Sequence, residues 1–583
     1  MRKSALWLAL LPAAALLLHG CNDSDSTPVT KPLNLTLLHT NDTHSHLESF
    51  QPSGEPVQGG VARRLTAIES VKAQVGAGRV LTVDAGDFMQ GSLFYNAWKG
   101  SADIMGLNAL GYDVATLGNH EFDLGPVELG RALRGEPVSI NGVSYTTEKP
   151  KFPLVVTNLD VSKEPALNGL LKKSLVVERE GEKIGVLGVV TDTISTIASP
   201  GPNVKILDYV ASVQAEVDSL KASGVNKIVL LSHYGYKIDV DNAKKLAGVD
   251  VIVSGHDHAL LGDKAAFAAD PRLKFMANRI VGSYPTVTVD KSGDTTLIVS
   301  SYEWGRWLGR LDVNFDEHGR VKSWNQAPVF IDETVAENAT LKARVAEWKK
   351  PVDALSKVEI GSAAMFFDGN RDSVRGKETE LGNLVADVML ASTRQSDGAV
   401  AALTNGGGLR ASINPGVVTF GDALSVLPFG NTIAVVEVTG SELIQSLDNG
   451  LSWAYDPVKN TTASSGAFPQ IAGMQVGYCS GTLADIQAKQ LPPRACPNAL
   501  QAGGLVNALS VAGKPVDPQA RYRLATNNFV AGGGDFYSAI GTACKRAGGY
   551  CRDTGVIMLD ALVDEFEAHS PLSRQVEGRL YAN

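Results

Sequence analysis

Residues 35–44 read LTLLHTNDTH, an apolar run that passes directly into a polar segment containing Asp42 and His44. Further runs of this kind occupy Val80 to Val83, Val114 to Leu117, Lys183 to Val190, Lys227 to Leu231 and Val249 to Val253. Short continuous runs bounded by turn residues are typical of strands buried on both faces. Between residues 61 and 71 the apolar positions have helical spacing instead, with charges on the other face. This alternation of strand and helix predicts a layered α/β domain.

Side chains that can bind metals follow the ends of several of these predicted strands. A lone buried histidine is usually a satisfied core residue, and an Asp-Gly or Gly-Asn pair is usually a turn. Five strand ends that each carry His, Asp or Asn favour a shared metal centre, because ligands bind at the carboxyl ends of the strands in α/β sheets. The candidates are Asp42, His44, Asp87, Asn119, His120, His233, His256 and His258.

In chain order, these segments read Asn-Asp-x-His, Gly-Asp-x-x-x-Gly, Gly-Asn-His-Glu-Phe-Asp, Ser-His and Gly-His-x-His. The ordered set resembles the two-metal calcineurin-like phosphoesterases, in the branch of bacterial periplasmic 5′-nucleotidase/UDP-sugar hydrolases, over residues 33 to 575. The resemblance implies a four-layer sandwich of mixed sheets flanked by helices at residues 34–335. It also implies a smaller α/β substrate-binding domain at residues 359–583, joined to the sandwich by a hinge helix at residues 336–358.

The resemblance also implies a ligand set for two divalent metal ions. One metal would take Asp42, His44 and His258, the other Asn119, His233 and His256, and Asp87 would bridge them; some relatives carry glutamine at the position of His258. Histidine, carboxylate and amide oxygen suit manganese, cobalt, zinc or iron. His39 and His46 are expected to be next to these ligands or at the surface.

His120 and Asp123 lie three residues apart and are expected to work as a pair. The His120 imidazole would face the phosphate and either stabilise the transition state or protonate the leaving oxygen. Asp123 would orient the ring and favour its charged form. In the resemblance this pair is the catalytic dyad. The related 2′,3′-cyclic phosphodiesterase/3′-nucleotidases end this motif with asparagine, so Asp123 favours the 5′-nucleotidase branch.

The second region contains Gly-rich loops that carry arginines and phenylalanines. A loop phenylalanine usually packs beneath its loop, and an arginine is usually a solvated charge. In the resemblance, however, Phe429 and Phe529 clamp the base, and Asp535 binds the ribose hydroxyls. Phosphate or ribose contacts map onto Arg375, Asn405, Arg410 and Asn431, with Arg371 as a weaker addition. Leu451 to Pro518 matches no motif of the family.

A polar helix is predicted between these two regions. Ala336 to Lys357 carries apolar residues at helical spacing, and Pro351 is expected to kink the helix. The spaced residues are Leu341, Val345, Trp348, Val352 and Leu355.

The N-terminus has the pattern of an export signal at residues 1–20. Arg2 and Lys3 precede an apolar run, Ala5 to Leu18, that is too short to span a membrane. The following Leu18-His19-Gly20-Cys21 resembles a lipobox, which predicts lipidation at Cys21, a polar tether over residues 21–33 and a place in the periplasm or cell envelope. Simple cleavage nearby is the alternative.

Four cysteines remain after Cys21, all in the last fifth of the chain. Pairing is the default in an oxidising compartment, and nearest neighbours are expected to pair, Cys479 with Cys496 and Cys544 with Cys551. A zinc site is the rival, although the spacing shows no CxxC unit.

Composition limits the possible functions of the chain. The 583 residues are 44% hydrophobic and 20% charged, which is ordinary for globular domains, and the net charge of −9 argues against nucleic acid as a partner. The motifs predict metal-dependent hydrolysis of nucleoside 5′-monophosphates in nucleotide salvage, with UDP-sugar or NAD pyrophosphates as further candidate substrates. The alternatives are a 2′,3′-cyclic phosphodiesterase/3′-nucleotidase and a non-enzymatic nucleotide-binding lipoprotein.

Overall fold

The computed structural model describes residues 30–52, 55–452, 466–479, 496 and 498–582. The predicted export signal, Cys21 and the tether up to residue 29 therefore lie outside the described residues. The last residues of the predicted tether contact the fold, since the Thr30 N–H donates to the Glu317 carbonyl and the first strand begins at Leu33. Among the helices of the described ranges, none has both the length and the apolar character needed to cross a membrane.

Two mixed sheets form the N-terminal region. In the first sheet, five neighbouring strands are parallel, from Leu33–Thr40 to Leu171–Lys172. The four central strands of the second sheet are also parallel, and antiparallel strands complete both sheets. In spatial order, the first sheet comprises Val321–Gln326, Trp307–Phe315, Leu33–Thr40, Val80–Asp84, Val114–Ala115, Leu154–Val155 and Leu171–Lys172, with Val329–Phe330 paired to Trp307–Phe315. The second comprises Thr286–Val289, Thr295–Val299, Val251–Ser254, Ile228–His233, Glu182–Val190 and Ser174–Arg179.

Alternate residues of each strand serve different layers, because successive side chains point to opposite faces of a sheet. Leu37 packs between the sheets against residues such as Val229, whereas Leu38 belongs to the core beneath the helices that cover the first sheet. Leu230 packs under the helices on the outer face of the second sheet. The order helix, sheet, sheet, helix confirms the predicted four-layer sandwich.

The N-terminal helices are Val61–Val75, Leu93–Trp98, Ser101–Leu110, Gly125–Arg134, Ile194–Ile197, Tyr209–Ala222, Tyr236–Ala243 and Lys264–Ala269. Their starts follow local capping rules: Asp208, for example, accepts a hydrogen bond from the Ala211 N–H at 2.7 Å. Three short strand pairs lie at the periphery: Val138–Ile140 with Val143–Tyr145, Leu159–Asp160 with Lys205–Ile206, and Leu260–Leu261 with Ile280–Gly282.

The helix between the two regions spans Ala339–Ser356, three residues later than its predicted start. Asn338 caps it by accepting a hydrogen bond from the Leu341 N–H at 3.0 Å. The helix continues through Pro351, and its predicted apolar face packs on the helical layer of the first sheet. The Trp98 indole N–H also donates to the Trp348 carbonyl at 2.9 Å. This helix is therefore packed along the N-terminal region.

The C-terminal region contains a five-stranded mixed sheet with helices on both faces. Its strands, in spatial order, are Pro469–Ala472, Ala401–Asn405, Arg521–Asn527, Thr432–Thr439 and Cys551–Ile557. A four-stranded sheet contains Lys514–Pro515, Val506–Val511, Met474–Tyr478 and Leu580–Ala582, and Glu359–Ala363 pairs with Gly416–Thr419. The helices are Arg371–Val374, Glu380–Arg394, Phe420–Val426, Gly440–Ser452, Asn528–Ala531, Ser538–Cys544 and Met558–His569.

Two disulfides stabilise this region. Cys479 is bonded to Cys496 and Cys544 to Cys551, with Cα atoms 5.8 Å and 4.9 Å apart. The nearest-neighbour pairing is therefore confirmed, and these four sulfurs are not zinc ligands.

Candidate metal and substrate site

Asp42, His44 and His258 converge where the carboxyl ends of the two N-terminal sheets meet. The His44 and His258 Nε2 atoms are 3.0 Å apart, and the His258 Nε2 is 3.6 Å from the Asp42 Oδ1. Asp42 and His44 are buried and His258 is half-buried. Three donor atoms within 4.8 Å of one another form a group that could hold one metal ion.

A second group of this kind adjoins the first. Asp87, His233 and His256 place their donor atoms within the same 4.8 Å limit, and the His256 Nδ1 lies 2.9 Å from the Asn119 Oδ1. The Asp87 Oδ2 is 2.9 Å from the His233 Nε2 and 3.9 Å from the His44 Nε2. Asp87 therefore lies between the two groups, as expected for a bridging carboxylate. These two groups, with Asn119, are called the metal groups below.

The chemistry of the donor atoms fits a pair of divalent cations. The His233 Nε2 is fully buried and makes no hydrogen bond of good geometry, although a carboxylate lies beside it. The His44 Nε2 and His258 Nε2 point towards each other rather than towards a protein donor. Buried nitrogens without a donor or acceptor are costly unless something binds them.

Each of these rings is held from its far side. The His44 Nδ1 donates to the Gln90 carbonyl at 3.2 Å, and the His233 Nδ1 donates to the Ala85 carbonyl at 2.8 Å. The His258 Nδ1 is 2.8 Å from the Glu303 Oε2. Such partners fix the tautomer that leaves Nε2 free for a metal.

The backbone of the site is held in an unusual conformation. Asp42, His44, Asp87, His256 and His258 all have positive φ, between 47° and 84°. Residues other than glycine adopt this region at a cost, and such residues cluster where function requires it. Close packing adds a second constraint: a Cβ on Gly118 would lie 2.2 Å from the Asp87 Oδ1 and 2.6 Å from the His233 Nε2.

The predicted dyad is formed. The His120 Nδ1 lies 2.7 Å from the Asp123 Oδ2, and the backbone N–H of His120 donates to the Asp87 Oδ1 at 2.8 Å. Burial opposes charge on the imidazole, but the neighbouring carboxylates of Asp123 and Asp87 outweigh it and raise the pKa of His120 to about 10. The charged form of the His120 imidazole is therefore favoured beside the metal groups.

A cavity of about 810 Å³ joins the metal groups to the C-terminal region. From the N-terminal side it is lined by His44, His120 and His258. From the C-terminal side, its lining includes six of the predicted substrate residues: Arg375, Asn405, Phe429, Asn431, Phe529 and Asp535. Phe429 and Phe529 remain 46% and 48% exposed, so neither ring is packed beneath its loop.

The two remaining predicted arginines lie beside the cavity lining but are not part of it. Arg410 stacks over the Phe429 ring at 5.5 Å, and Arg371 is exposed. Burial, followed by the positive charges of Arg410 and Arg371, lowers the pKa of Arg375. Three guanidinium groups therefore create a positive potential next to the cavity.

A hydrogen bond joins two of the lining residues. The Asn405 side-chain amide donates to the Asp535 Oδ2 at 2.7 Å, which orients that carboxylate.

Several residues of the site were not identified in the sequence. Glu303 was missed although it follows the strand Thr295–Val299, so the rule that revealed the other strand ends also applied to it. Glu121 accepts hydrogen bonds from the backbone N–H groups of Asp87 and Gly118, and Gln90 lines the cavity. His39, expected near the ligands or at the surface, is buried and lies 2.8 Å from the Tyr284 hydroxyl. His46 is half-buried and stacks on Trp304.

Comparison with known families agrees with this geometry. Residues 35–260 match the family described as calcineurin-like phosphoesterase, and residues 356–542 match the family described as 5′-nucleotidase, C-terminal domain. The first range contains all seven candidate metal ligands, and the second contains the residues that line the cavity from the C-terminal side.

Individual relatives extend over most of the chain. The trifunctional nucleotide phosphoesterase protein YfkN of Bacillus subtilis (strain 168) is 33% identical over 96% of this chain, which spans only 36% of that relative. A 5′-nucleotidase of Diplobatis ommata is 31% identical over 94% of this chain and 90% of its own. The solved 5′-nucleotidase precursor from Thermus thermophilus is 37% identical, with a TM-score of 0.61 over 94% of this chain and 99% of its own. The chain belongs to the 5′-nucleotidase family, in which a calcineurin-like phosphoesterase domain is joined to a C-terminal 5′-nucleotidase domain.

Proposed function

We propose that this protein hydrolyses nucleoside 5′-monophosphates to nucleoside and phosphate in a metal-dependent reaction outside the cytoplasm. The observation that carries the proposal is the single cavity that contains His44, His120 and His258 at one side and Phe429 and Phe529 at the other. A phosphate at the metal groups would leave the base within reach of the two rings.

Asp42, His44 and His258 would hold one metal ion; Asn119, His233 and His256 would hold the other, with Asp87 between them. A divalent pair of this kind neutralises the charge of a phosphate ester and activates a water for attack on phosphorus. Histidine nitrogen together with carboxylate and amide oxygen suits manganese, cobalt, zinc or iron.

His120 would donate its proton to the departing 5′ oxygen of the nucleoside. Asp123 holds the imidazole through Nδ1 at 2.7 Å, which leaves Nε2 to face the substrate. The carboxylate also stabilises the charged form of the ring, so that the proton is available at neutral pH.

The C-terminal side of the cavity would choose the substrate. Arg375 and Arg410 supply positive charge for phosphate, and Asn405 and Asn431 supply polar contacts for phosphate or ribose. Asp535, oriented by Asn405, would accept hydrogen bonds from the ribose hydroxyls. Phe429 and Phe529 would stack on either face of the base, since every base has a π-face. Arg371, exposed beside Arg375, would add long-range attraction.

We place the hinge between the two domains in residues 336–358, which contain the helix Ala339–Ser356. The sandwich would occupy residues 34–335 and the substrate domain residues 359–583. Export through a signal at residues 1–20 and a lipid anchor at Cys21 would keep the enzyme in the periplasm or cell envelope. Mass spectrometry of the mature N-terminus tests this, because lipidation and simple cleavage give different masses.

Phosphate release from AMP, 3′-AMP and NAD, measured side by side with added manganese or cobalt, tests the proposed substrate class. We expect release from AMP to exceed release from 3′-AMP. Preference for 3′-AMP would assign the chain to the 3′-nucleotidase branch. Tight nucleotide binding without release from any substrate, in protein with both metals bound, would favour a binding lipoprotein.

A further inference from the structure

Gln90 contacts both sides of the cavity. Its side-chain Nε2 donates to the Gly430 carbonyl at 2.5 Å, and its own carbonyl accepts a hydrogen bond from the His44 Nδ1 at 3.2 Å. The residue is only 5% exposed and adopts a positive φ of 66°. One amino acid therefore joins a candidate metal ligand to a loop of the C-terminal domain.

The loop that Gln90 contacts is the one that bears the candidate base-binding ring. Gly430 lies between Phe429 and Asn431, and all three residues line the cavity. The Gln90 side chain also packs tightly against Gly430, because a Cβ on Gly430 would lie 2.1 Å from the Gln90 Nε2. The amide of Gln90 therefore fills the space that the missing glycine side chain leaves.

This contact lies in a narrow seam between the domains. Around Gln90 the seam is lined by Tyr95 and Asn96 on one side and by Leu427 and Ile557 on the other. Apolar surfaces pack without a preferred register, because the hydrophobic effect is not directional. A buried hydrogen bond has a fixed length and direction, and so it defines where one surface sits on the other.

We propose that Gln90 is a positioning residue that sets the placement of Phe429 relative to the metal groups, and thereby the preference for phosphate esters that carry a base. The inference rests on the proposed nucleotide hydrolysis, since Phe429 is taken to contact the base. A 5′-nucleotide must satisfy both sites at once, so a shift of the Phe429 loop weakens its binding. A small phosphate ester without a nucleobase does not depend on that distance.

Gln90→Met tests the hydrogen bond, because methionine has a similar length and no N–H donor. We expect KM for AMP to rise about 3- to 10-fold, the range given by the loss of one hydrogen bond. The decrease in kcat/KM for 4-nitrophenyl phosphate should be several-fold smaller than the decrease in kcat/KM for AMP. Asn96→Leu is the matched control, because Asn96 lines the same seam and its amide makes no hydrogen bond in the described part of the chain. It should leave both substrates within twofold of the wild type.

A double-mutant cycle with Gly430→Ala isolates the contact itself. The added methyl group clashes with the amide of Gln90 and also strains a residue at φ +63°. The strain is the same in both backgrounds, whereas the clash disappears in Gln90→Ala. Gly430→Ala should therefore raise KM for AMP less in the Gln90→Ala background than in the wild type.

Two results with Gln90→Met would overturn the proposal: an equal decrease of kcat/KM for AMP and for 4-nitrophenyl phosphate, or an unchanged KM for AMP. Hydrogen–deuterium exchange of the substrate-free protein gives a readout that does not depend on activity: the backbone amides of the Phe429 loop should exchange faster in Gln90→Met and at the wild-type rate in Asn96→Leu. Unchanged exchange of this loop in Gln90→Met would count against the proposal even if wild-type protein failed to hydrolyse AMP. Failure of the wild type on AMP would instead refute the proposed function, so the two failures are distinguishable.

Discussion

At the scale of single residues, the metal groups depend on partners behind their rings. His258 is the most exposed histidine of the first group, and the carboxylate of Glu303 holds it from behind at 2.8 Å. Glu303 is itself held, because the Arg306 guanidinium lies 3.6 Å from it and 4.8 Å over the Trp304 ring. The Trp304 backbone N–H also donates to the Asp42 carbonyl at 2.7 Å. The loop that carries these residues therefore supports two candidate ligands from outside the ligand set.

Glu303→Gln should weaken metal binding by about 10- to 100-fold, because the neutral amide orients the His258 ring less well and lowers its basicity. Isothermal titration calorimetry measures the manganese affinity directly, with protein from which a chelator has first removed the metal. Glu180→Gln is the control, since Glu180 is exposed and forms a surface ion pair with Arg79, far from His258 in the chain. Unchanged affinity in Glu303→Gln would show that His258 needs no such support.

Asp87→Asn and His120→Ala should each lower kcat for AMP by several orders of magnitude, for different reasons. The first removes the carboxylate between the two metal groups, and bound metal should fall with activity. The second removes the proton donor, and metal content should stay at the wild-type value. Metal analysis by mass spectrometry, together with phosphate release, separates the two effects. Substantial activity in either variant would contradict the assigned role.

Asp103 gives a prediction for the dependence of stability on pH. It is 2% exposed, neither carboxylate oxygen makes a hydrogen bond of good geometry, and burial raises its pKa to about 8. In the unfolded chain the carboxyl loses its proton near pH 4. The unfolded state therefore binds fewer protons between about pH 4 and pH 8, and this group lowers the free energy of unfolding as the pH rises through that range.

Asp103→Asn removes this titration, so its stability relative to the wild type should increase from pH 5 to pH 8. Urea unfolding of both proteins at the two pH values measures the difference. The exposed Asp564→Asn should follow the wild type at both. A constant difference between Asp103→Asn and the wild type would mean that Asp103 is charged in the folded protein.

At the scale of the element, the turns after the strands leave room for the metal groups. Gly118→Ala would place a methyl group against Asp87 and His233, and both are buried and cannot move far. We expect the variant to fold but to lose most bound metal and activity. Gly78→Ala is the control, because its nearest neighbour would be 3.9 Å away. Normal metal content in Gly118→Ala would show that the loop can relax.

The elements that could be predicted from the sequence are those with a local signal. Strands such as Leu33–Thr40 and Ile228–His233 are apolar runs, and the side chains at their ends are the candidate ligands. The rule for strand ends could have identified Glu303, but it could not predict the contact of Glu303 with His258, because that contact depends on strand pairing that brings together residues 45 positions apart. The contact between Gln90 and Gly430 likewise joins residues separated by 340 positions.

At the scale of the whole molecule, the cavity exists only because two domains face each other. In the sequence, the helix Ala339–Ser356 separates Phe429 and Phe529 from the metal groups, and nothing in the composition predicts that these rings line the same cavity. Their proposed role follows from the resemblance to a family, as does the division of the ligands between two metals, whereas the shared metal centre at the strand ends is predicted by the residues themselves. The placement of one domain on the other is a property of the folded chain.

The proposed hydrolysis of nucleoside 5′-monophosphates depends on two metal ions bound by this chain. The most direct test removes metal with a chelator and adds manganese back in steps, while phosphate release from AMP and bound metal per chain are measured together. We expect no phosphate release from the protein after chelation and full release once the second metal per chain has bound. Full activity after chelation, or with one bound metal, would contradict it.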